Sequence, residues 1–537
     1  MLKFLNRESK TIIGAATVVG VLSLVSRLVG LMRDRLLAGA FGAGDTLDIY
    51  YAAFKIPDLL FTLVVMGALS ASFIPLFLSH WSQTETRAKA WHLTNNAVHL
   101  IAAAMILLSL TLALFAQPLS ELIAPGFALY KQNQVAVFMR VMFLSQILLS
   151  VSLVYGSVLQ SLKRFFFYAL APIFYNVGII AGALWFVDGL GTIGLAWGVV
   201  FGACLHLLVQ LLGLRGIGYR YAWRLRLLDR DTRTMLALMV PRSLGLAVNQ
   251  LLFVVLGIIA TTLPGGSLTI FQFAYNIQFF PVGIIGVSFA IAVFPALSEK
   301  MEQHEPDAFV QVLLSTIRQV VYLMAPMTIL FLILRAQVVR VVVGAGEFDW
   351  DATIAAADTL AFFALTFIPQ ALIYLFARSF FALRDTTTPL VTGAVAALIG
   401  VLVALLLREP FGVASLGIGF AVSALVQAGL LWMLLRSRVG TLRESTILTF
   451  LYKVSAASLA GALTMQTVKP AVVALISLET FWGVLLQGLI AGSLGLAAYV
   501  LIGGMLRIEE QQQFFASLRR SVFRRSQPSE TAPSNPA

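Results

Sequence analysis

Six ionisable residues sit where an apolar sequence should have none. Arg27 lies inside the apolar stretch 11–33, Arg33 and Asp34 close it, and Asp48, Lys55 and Asp58 follow in the stretch 47–78. Arg27 and Asp34 are seven residues apart, which puts both on one face of a helix, and Arg33 falls about 120° away by the helical period. Asp48 and Lys55 repeat the seven-residue spacing, Asp58 follows Lys55 by three, and Pro57 between them can bend the helix and free a backbone carbonyl. An ion inside a membrane helix costs about 2.5–3.5 kcal/mol on insertion scales, so such groups face a cavity or a partner. Three cations and three anions fit more than one reading, among them that Arg33, Asp34 and Asp48 simply sit at the outer interface. The others are buried ion pairs that fix helix packing, and a polar chamber lined for an anionic head group, whose phosphate oxygens arginine holds in bidentate fashion. Further along, Arg242 follows Pro241, with Asn249 and Gln250 two turns later, and Arg378 lies within another apolar stretch. Arg27, Arg33, Asp34, Asp48, Lys55, Arg242 and Arg378 are therefore the candidate substrate contacts.

Other chemistry is poorly supplied. Cys204 is the single cysteine, so neither an intrachain disulfide nor a cysteine metal site is available. The histidines form no HExxH pattern. His92 and His99, seven apart, read as interfacial residues rather than metal ligands. Gly39–Gly44 (GAFGAG) lacks the Lys-Ser/Thr of a phosphate loop and reads as a tight turn. With no nucleophile–base pair, metal motif or nucleotide fingerprint, no enzyme, metal or cofactor is expected.

The elements that must position these ions are membrane helices. Of 537 residues, 59% are hydrophobic and 12% charged, with a mean hydropathy of +0.90. Soluble domains carry about twice that charged fraction. Apolar runs of 18 or more residues recur from end to end, each long enough to cross about 30 Å of hydrocarbon, and the ten-residue alternation of a barrel is missing. The sequence predicts an all-α polytopic membrane protein of about fourteen transmembrane helices, from 11–33 to 480–505.

The net charge of +12 does not point to nucleic acid, because the cations lie in short loops between spans. With the N-terminus inside, about 23 Lys and Arg fall on the cytoplasmic side and about seven opposite. That asymmetry predicts both termini in the cytoplasm. The opening run, preceded by Lys3, Arg7 and Lys10, reads as a first helix, since no cleavage pattern ends it. Two basic stretches do not span. Residues 215–234 mix arginine with Tyr, Trp and Leu, and 508–537 is a basic tail with a Pro-rich, disordered end. Both suit an anionic membrane surface.

The chain also reads as duplicated. Phe73-Ile74-Pro75 matches Val293-Phe294-Pro295 at an offset of 220, Gly191–Gly198 matches Gly412–Gly419 at 221, and Pro172 matches Pro389 at 217. Six spans separate the partners, so the copies share an orientation. The predicted organisation is a six-helix lobe (1–214), the linker (215–234), a second six-helix lobe (235–438), two additional helices (439–507) and the tail. Two bundles around a central site make a transporter architecture.

SRLVGLMRD (26–34), FGAGDTLD (41–48), AFKIPDLL (53–60), GALSASFIP (67–75), VFPALS (293–298) and ARSFFALRDTTTP (377–389) together resemble the MurJ/MviN lipid II flippases of the multidrug/oligosaccharidyl-lipid/polysaccharide exporter superfamily. The resemblance covers spans 1–12 in order. It implies movement of an undecaprenyl-pyrophosphate-linked peptidoglycan precursor from the inner to the outer leaflet of the bacterial inner membrane. It also implies a cationic central cavity, and a groove for the lipid tail at the last two helices. By the same resemblance, Arg27, Arg33, Asp34, Asp48 and Lys55 would be cavity and gating residues, and the partners would be the precursor, membrane lipids and cell-wall synthesis proteins. Three positions depart from the pattern. Phe61, Met66 and Asn276 stand where the family carries charge. The alternatives are a flippase for another polyprenyl-linked glycan or drug-like cargo, and a non-transporting scaffold of envelope synthesis.

Overall fold

The computed structural model describes residues 12–66, 73–223, 226, 229–440 and 444–523. Among them every regular element is a helix, and no strand occurs. The site is positioned by α1 (Ile12–Phe41), α2 (Asp45–Phe61) and its π-helical continuation Thr62–Met66. There follow α3 (Ile74–Trp81), α4 (Arg87–Leu114), α5 (Ala116–Ile123), α6 (Leu129–Ser161), α7 (Phe165–Ala181), the short α8 (Val187–Leu190) and α9 (Gly194–Leu214). The later helices are α10 (Arg230–Thr261), α11 (Ser267–Pro281), α12 (Val287–Glu302), α13 (Pro306–Ile333), α14 (Arg335–Val342), α15 (Trp350–Ala364) and α16 (Phe367–Ala382). The chain ends with α17 (Thr387–Phe411), α18 (Ala414–Val439), α19 (Glu444–Val473), α20 (Phe481–Met505) and α21 (Glu509–Phe523).

Nine helical runs among the described residues are long and apolar enough to cross a membrane, and the pair α15–α16, bent by 43°, makes a tenth. The chain is a polytopic membrane protein. α1, α2 and α10 are not among the nine, for they carry the clustered ions or include residues outside the described set. One run, Phe165–Leu214, is 50 residues long and supplies two crossings rather than one. A Cβ added at Gly178 would lie 2.2 Å from the Gly202 Cα, at Gly182 2.4 Å from the Gly198 Cα, and at Gly194 2.5 Å from the Phe186 carbonyl carbon. The contacts run backwards on one side as they run forwards on the other, so α7 and α9 form an antiparallel hairpin that turns at Gly191, whose φ of 68° suits glycine. Lipid offers no hydrophobic drive to pair helices. Small residues that let backbones touch supply the packing instead.

The offsets of the three short matches recur among the elements. α4 and α13 are both 28 residues long and begin at Arg87 and Pro306, 219 apart. α5 and α14 are both eight residues and also begin 219 apart. α6 begins at Leu129 and the bent pair α15–α16 at Trp350, 221 apart, ending at Ser161 and Ala382. The π-helical turns at Thr62–Met66 and Val282–Gly286 lie 220 apart. The hairpin recurs too: Gly400 and Gly419 on α17 and α18 approach so closely that a Cβ on either would meet the other's carbonyl oxygen at 2.5–2.6 Å.

Helix ends repeat in the same way. Lys163 (φ 56°) and Arg384 (φ 60°) are left-handed residues at the ends of α6 and α16. Each is followed by an N–H reaching five residues back, Arg164 N to Leu159 O at 2.8 Å and Asp385 N to Phe380 O at 2.9 Å. His304 and Arg507 close their helices likewise. Asp385 then starts α17, accepting the Thr387 and Thr388 N–H groups at 3.0 and 2.9 Å and the Thr388 hydroxyl at 2.7 Å. The Thr388 N–H, and after it the hydroxyl, hold this carboxyl below the usual carboxylate range.

By contact, the chain forms two compact units. The first comprises Met1–Phe280, Val339–Phe363 and Leu390–Ser423, the second Pro281–Val338, Ala364–Pro389 and Ala424–Ala537. In the second unit, α13 packs its buried Phe309, Leu313 and Ile317 with Phe376 and Phe380 of α16 and Tyr499 of α20. In the first, described residues of the basic stretch after α9 bond to α4. Asn95 donates to the Arg220 carbonyl at 3.0 Å, the Arg226 N–H donates to Asn96 at 2.7 Å, and His99 pairs with the Tyr221 hydroxyl at 2.8 Å.

Candidate functional site

α1, α2, α10 and α11 of the first unit bring most of the ions together. On α1, the Arg33 guanidinium gives two hydrogen bonds to Asp34 Oδ1, at 3.0 and 2.7 Å, and one to Asn176 Oδ1 of α7 at 2.9 Å. Asn176 is fixed in turn by donating to the Pro172 carbonyl at 3.0 Å. Asp34, 3% exposed, takes its remaining bond on Oδ2 from Asn276 of α11 at 2.9 Å. Asn276 accepts from Gln272 one turn earlier, at 3.0 Å. Arg33 and Asp34 thus form a neutral pair, joined by two hydrogen bonds to one carboxylate oxygen, that ties α1 to α7 on one side and α11 on the other.

Arg27, two turns earlier on α1, holds its guanidinium 5.7 Å from the Phe279 ring centre, so it meets α11 one turn beyond Asn276. Lys55 comes from α2. Its ammonium lies 3.9 Å from the centre of the Phe253 ring on α10, and that ring packs at 4.3 Å on Tyr275. Gly257 leaves the room Lys55 needs, since a Cβ there would stand 2.7 Å from the lysine Cε. Lys55 is 5% exposed and its Nζ has no hydrogen-bond partner. A cation over an aromatic face gains about 2 kcal/mol when desolvated, short of what burying an ammonium costs. Asp58, one turn along α2, is held by Gln146 of α6 at 2.9 Å. Residues 272–279 of α11 therefore touch, directly or through Phe253, the groups carried by Arg27, Asp34 and Lys55.

Asp48, expected among the substrate contacts, has its hydrogen bonds at the start of α11. Its carboxylate, 1% exposed, accepts from the Gly266 N–H at 2.7 Å and from the Thr269 N–H and hydroxyl at 2.9 and 2.7 Å. Those N–H groups begin α11, so a residue 218 positions away caps the helix that carries Asn276. Asp48→Asn turns one accepting oxygen into a donor facing the Gly266 N–H. The expected result is a loss of about 1–3 kcal/mol of stability, read as a lower unfolding temperature in detergent. An unchanged melt would show that the cap is dispensable.

Two other candidates remain. Arg242 lies in α10, and its side chain falls outside the described residues. Arg378 belongs to the second unit, with its guanidinium 5.3 Å from the Phe294 ring centre and 5.9 Å from that of Phe381. Of the three positions that depart from the family's charge pattern, Asn276 meets Asp34 directly, Phe61 ends α2, and Met66 lies in the π-helical turn with its side chain outside the described residues. Asn176, Phe253 and Thr269 were not singled out by sequence. Asn176 had a signal, being a lone amide in the apolar run 165–181. Phe253 and Thr269 had none. Among the described residues no group of His, Cys, Asp and Glu can hold a metal ion.

The arrangement offers an anion a buried ammonium that has no hydrogen-bond acceptor, with the Asp58 carboxylate one turn along the same helix, and an aromatic wall that also meets the Arg27 guanidinium. A sequence model of the family described as "Lipid II flippase MurJ" matches residues 37–483. The "Lipid II flippase MurJ" of Burkholderia cenocepacia is 30% identical over 441 residues, 79% of this chain and 84% of the relative. The "Probable lipid II flippase MurJ" of Rhizobium meliloti is 26% identical over 456 residues, 83% and 85% of the two chains. Among solved structures, one titled "Lipid II flippase MurJ, inward closed conformation" superposes with a TM-score of 0.74 at 19% identity, over 91% of this chain and 98% of that one. An inward-facing multidrug resistance MATE family transporter gives 0.66 at 14% identity, over 80% and 99%. These two likenesses speak for the fold.

Proposed function

The chain belongs to the lipid II flippase MurJ family, a family of transporters and not of enzymes, and from that premise we propose that it carries lipid II from the inner to the outer leaflet of the bacterial cytoplasmic membrane. In this reading the pyrophosphate of the head group is drawn to Lys55 and Arg27. The Arg33–Asp34 pair, with Asn276, sets the position of α1 against α11, and Arg242 and Arg378 add positive charge along the route. The two repeats, 1–214 and 235–438, rock to expose the site to each side in turn, the last two spans hold the lipid tail, and both termini lie in the cytoplasm. The observation that carries the reading is the Lys55 ammonium, buried with an aromatic ring and no hydrogen-bond acceptor. A desolvated cation of that kind is retained where an anion arrives to pair with it.

The test is a strain in which this chain is the sole lipid II flippase, with exposure of the precursor on the outer leaflet as the readout. Lys55→Met keeps the length of the side chain and removes the charge. At equal protein level, exposure is expected to fall at least about tenfold, the equivalent of about 1.4 kcal/mol in the translocation barrier, with partial recovery in Lys55→Arg. Exposure equal to wild type in Lys55→Met rejects the role of Lys55, and unchanged exposure on depletion of the whole chain rejects the function.

A second reading has its own support. Phe61, Met66 and Asn276 remove charge from the head-group region, which favours a lipid-linked glycan with a less anionic head. Purified chain that binds another polyprenyl-linked sugar more tightly than lipid II would decide for it.

A further inference from the structure

Lys55 and Asp58 lie three residues apart on α2, a spacing at which a lysine and an aspartate are neighbours on the helix surface and attract one another. In the structure they do not pair. The ammonium has no hydrogen-bond partner and turns to α10, where it lies 3.9 Å from the centre of the Phe253 ring and Gly257 gives it room. The half-buried carboxylate turns to α6, where the Gln146 amide donates to it at 2.9 Å. Gln146 is 1% exposed and its amide oxygen has no partner, so the bond to Asp58 is what orients the amide. A natural ion pair is thus split, each half held by a different neighbouring helix.

The two tethers differ in kind. On the flippase reading given above, 1–214 and 235–438 are the repeats that rock. α2 and α6 belong to the same repeat, so the bond from Gln146 to Asp58 travels with them. α10 belongs to the other repeat, so the seat of Lys55 over Phe253 exists only while α10 lies against α2. When α10 withdraws, the ammonium loses its aromatic face. The opposite charge that it carries with it on its own helix is Asp58, and in a medium of low dielectric constant the two attract strongly. While they are apart, the same carboxylate repels an anion seated on Lys55 and keeps its binding from becoming too tight to reverse.

We propose that Asp58 is the positioning residue that switches Lys55 between holding and releasing the cargo. Split from Asp58, Lys55 takes the pyrophosphate of the head group. Joined to Asp58, Lys55 is neutralised and the pyrophosphate leaves. The motion is that of the flippase reading, on which this inference rests, and Asp58 is the residue that makes the motion reset the charge.

The test titrates two lipids on the purified full chain in detergent: lipid II, and undecaprenyl pyrophosphate, which keeps the charged group and lacks the sugar. Precursor exposure is followed in the strain that has this chain as its sole flippase. Asp58→Asn keeps the shape of the side chain, and its amide oxygen still accepts from Gln146. It is expected to bind both lipids at least about fivefold more tightly and to expose the precursor at least about fivefold more slowly at equal protein level, a split between binding and turnover that a merely structural defect does not produce. Gln146→Leu frees the carboxylate to reach Lys55 and is expected to weaken binding of both lipids, by about fivefold, with affinity regained when Asp58→Asn is added. Unchanged affinity in Asp58→Asn, or affinity and exposure falling together, overturns the proposal, as does a wild type that binds neither lipid. Tighter binding of undecaprenyl pyrophosphate by Asp58→Asn, in a chain that takes no lipid II, upholds the switch and overturns the lipid II reading. If Gln146→Leu fails to fold, Asp58→Asn alone decides.

Discussion

Arg33→Ala is expected to cost about 3–5 kcal/mol of stability and to abolish translocation at once. Asp34 is almost fully buried, and three hydrogen bonds to its carboxylate come from two side chains, Arg33 and Asn276. Removing the guanidinium leaves a carboxylate in a membrane interior with a single amide donor. Breaking a buried pair by deleting one partner carries a penalty of that size because the other charge is stranded. The double substitution Arg33→Ala with Asp34→Asn should recover much of the loss, since the neutral amide keeps the link to Asn276 without the stranded charge. Unfolding temperatures of purified wild type, single and double variants in detergent complete the cycle. A single variant within about 0.5 kcal/mol of wild type, below the usual coupling of contacting residues, would mean that the pair is solvated and that Arg33 is free to bind cargo. The two outcomes assign Arg33 opposite roles, as a brace or as a ligand.

The second large effect concerns the hairpins. Gly198→Leu and Gly419→Leu place a branched side chain where backbone stands 2.5–2.6 Å from the first added carbon. Overpacking a core usually costs about 1–3 kcal/mol because side chains give way. Here the obstacles are the Gly182 Cα and the Gly400 carbonyl oxygen, which cannot rotate aside, so each change is expected to reach or exceed the top of that range. Both proteins should express poorly and elute as aggregates on size exclusion. Gly20→Leu and Gly429→Leu are the controls. A Cβ at either glycine meets nothing within 4 Å, and leucine is the better helix former by about 0.8 kcal/mol. Normal elution of Gly198→Leu would show that α7 and α9 can part without loss of the fold.

The architecture was largely written in hydropathy, because in lipid each helix must satisfy its own backbone and announces itself by length. Three short matches read as a duplication, and helix lengths, π turns and terminating residues recur at offsets of 219–221, features whose residues need not be identical to keep their geometry. Pairings across the chain were harder. Arg33 and Asp34 are adjacent, yet nothing in their spacing says that Asn176 and Asn276 complete them. The partners of Asp48 were hidden for the same reason. A carboxylate that caps a helix 218 residues away has the same local sequence as one that faces cargo, and only the fold tells the two apart.

Lys163, His304, Arg384 and Arg507 have a consequence for how such a protein can evolve. Each is a left-handed residue without glycine's freedom, a conformation that costs about 1–2 kcal/mol. Glycine there would relieve that cost but would remove basic side chains, of the kind that weighs on the direction in which flanking segments are threaded. The punctuation of the helices and the compass for their insertion are carried by the same letters. A lineage that sought a more stable chain at these points would be erasing its own directions for assembly.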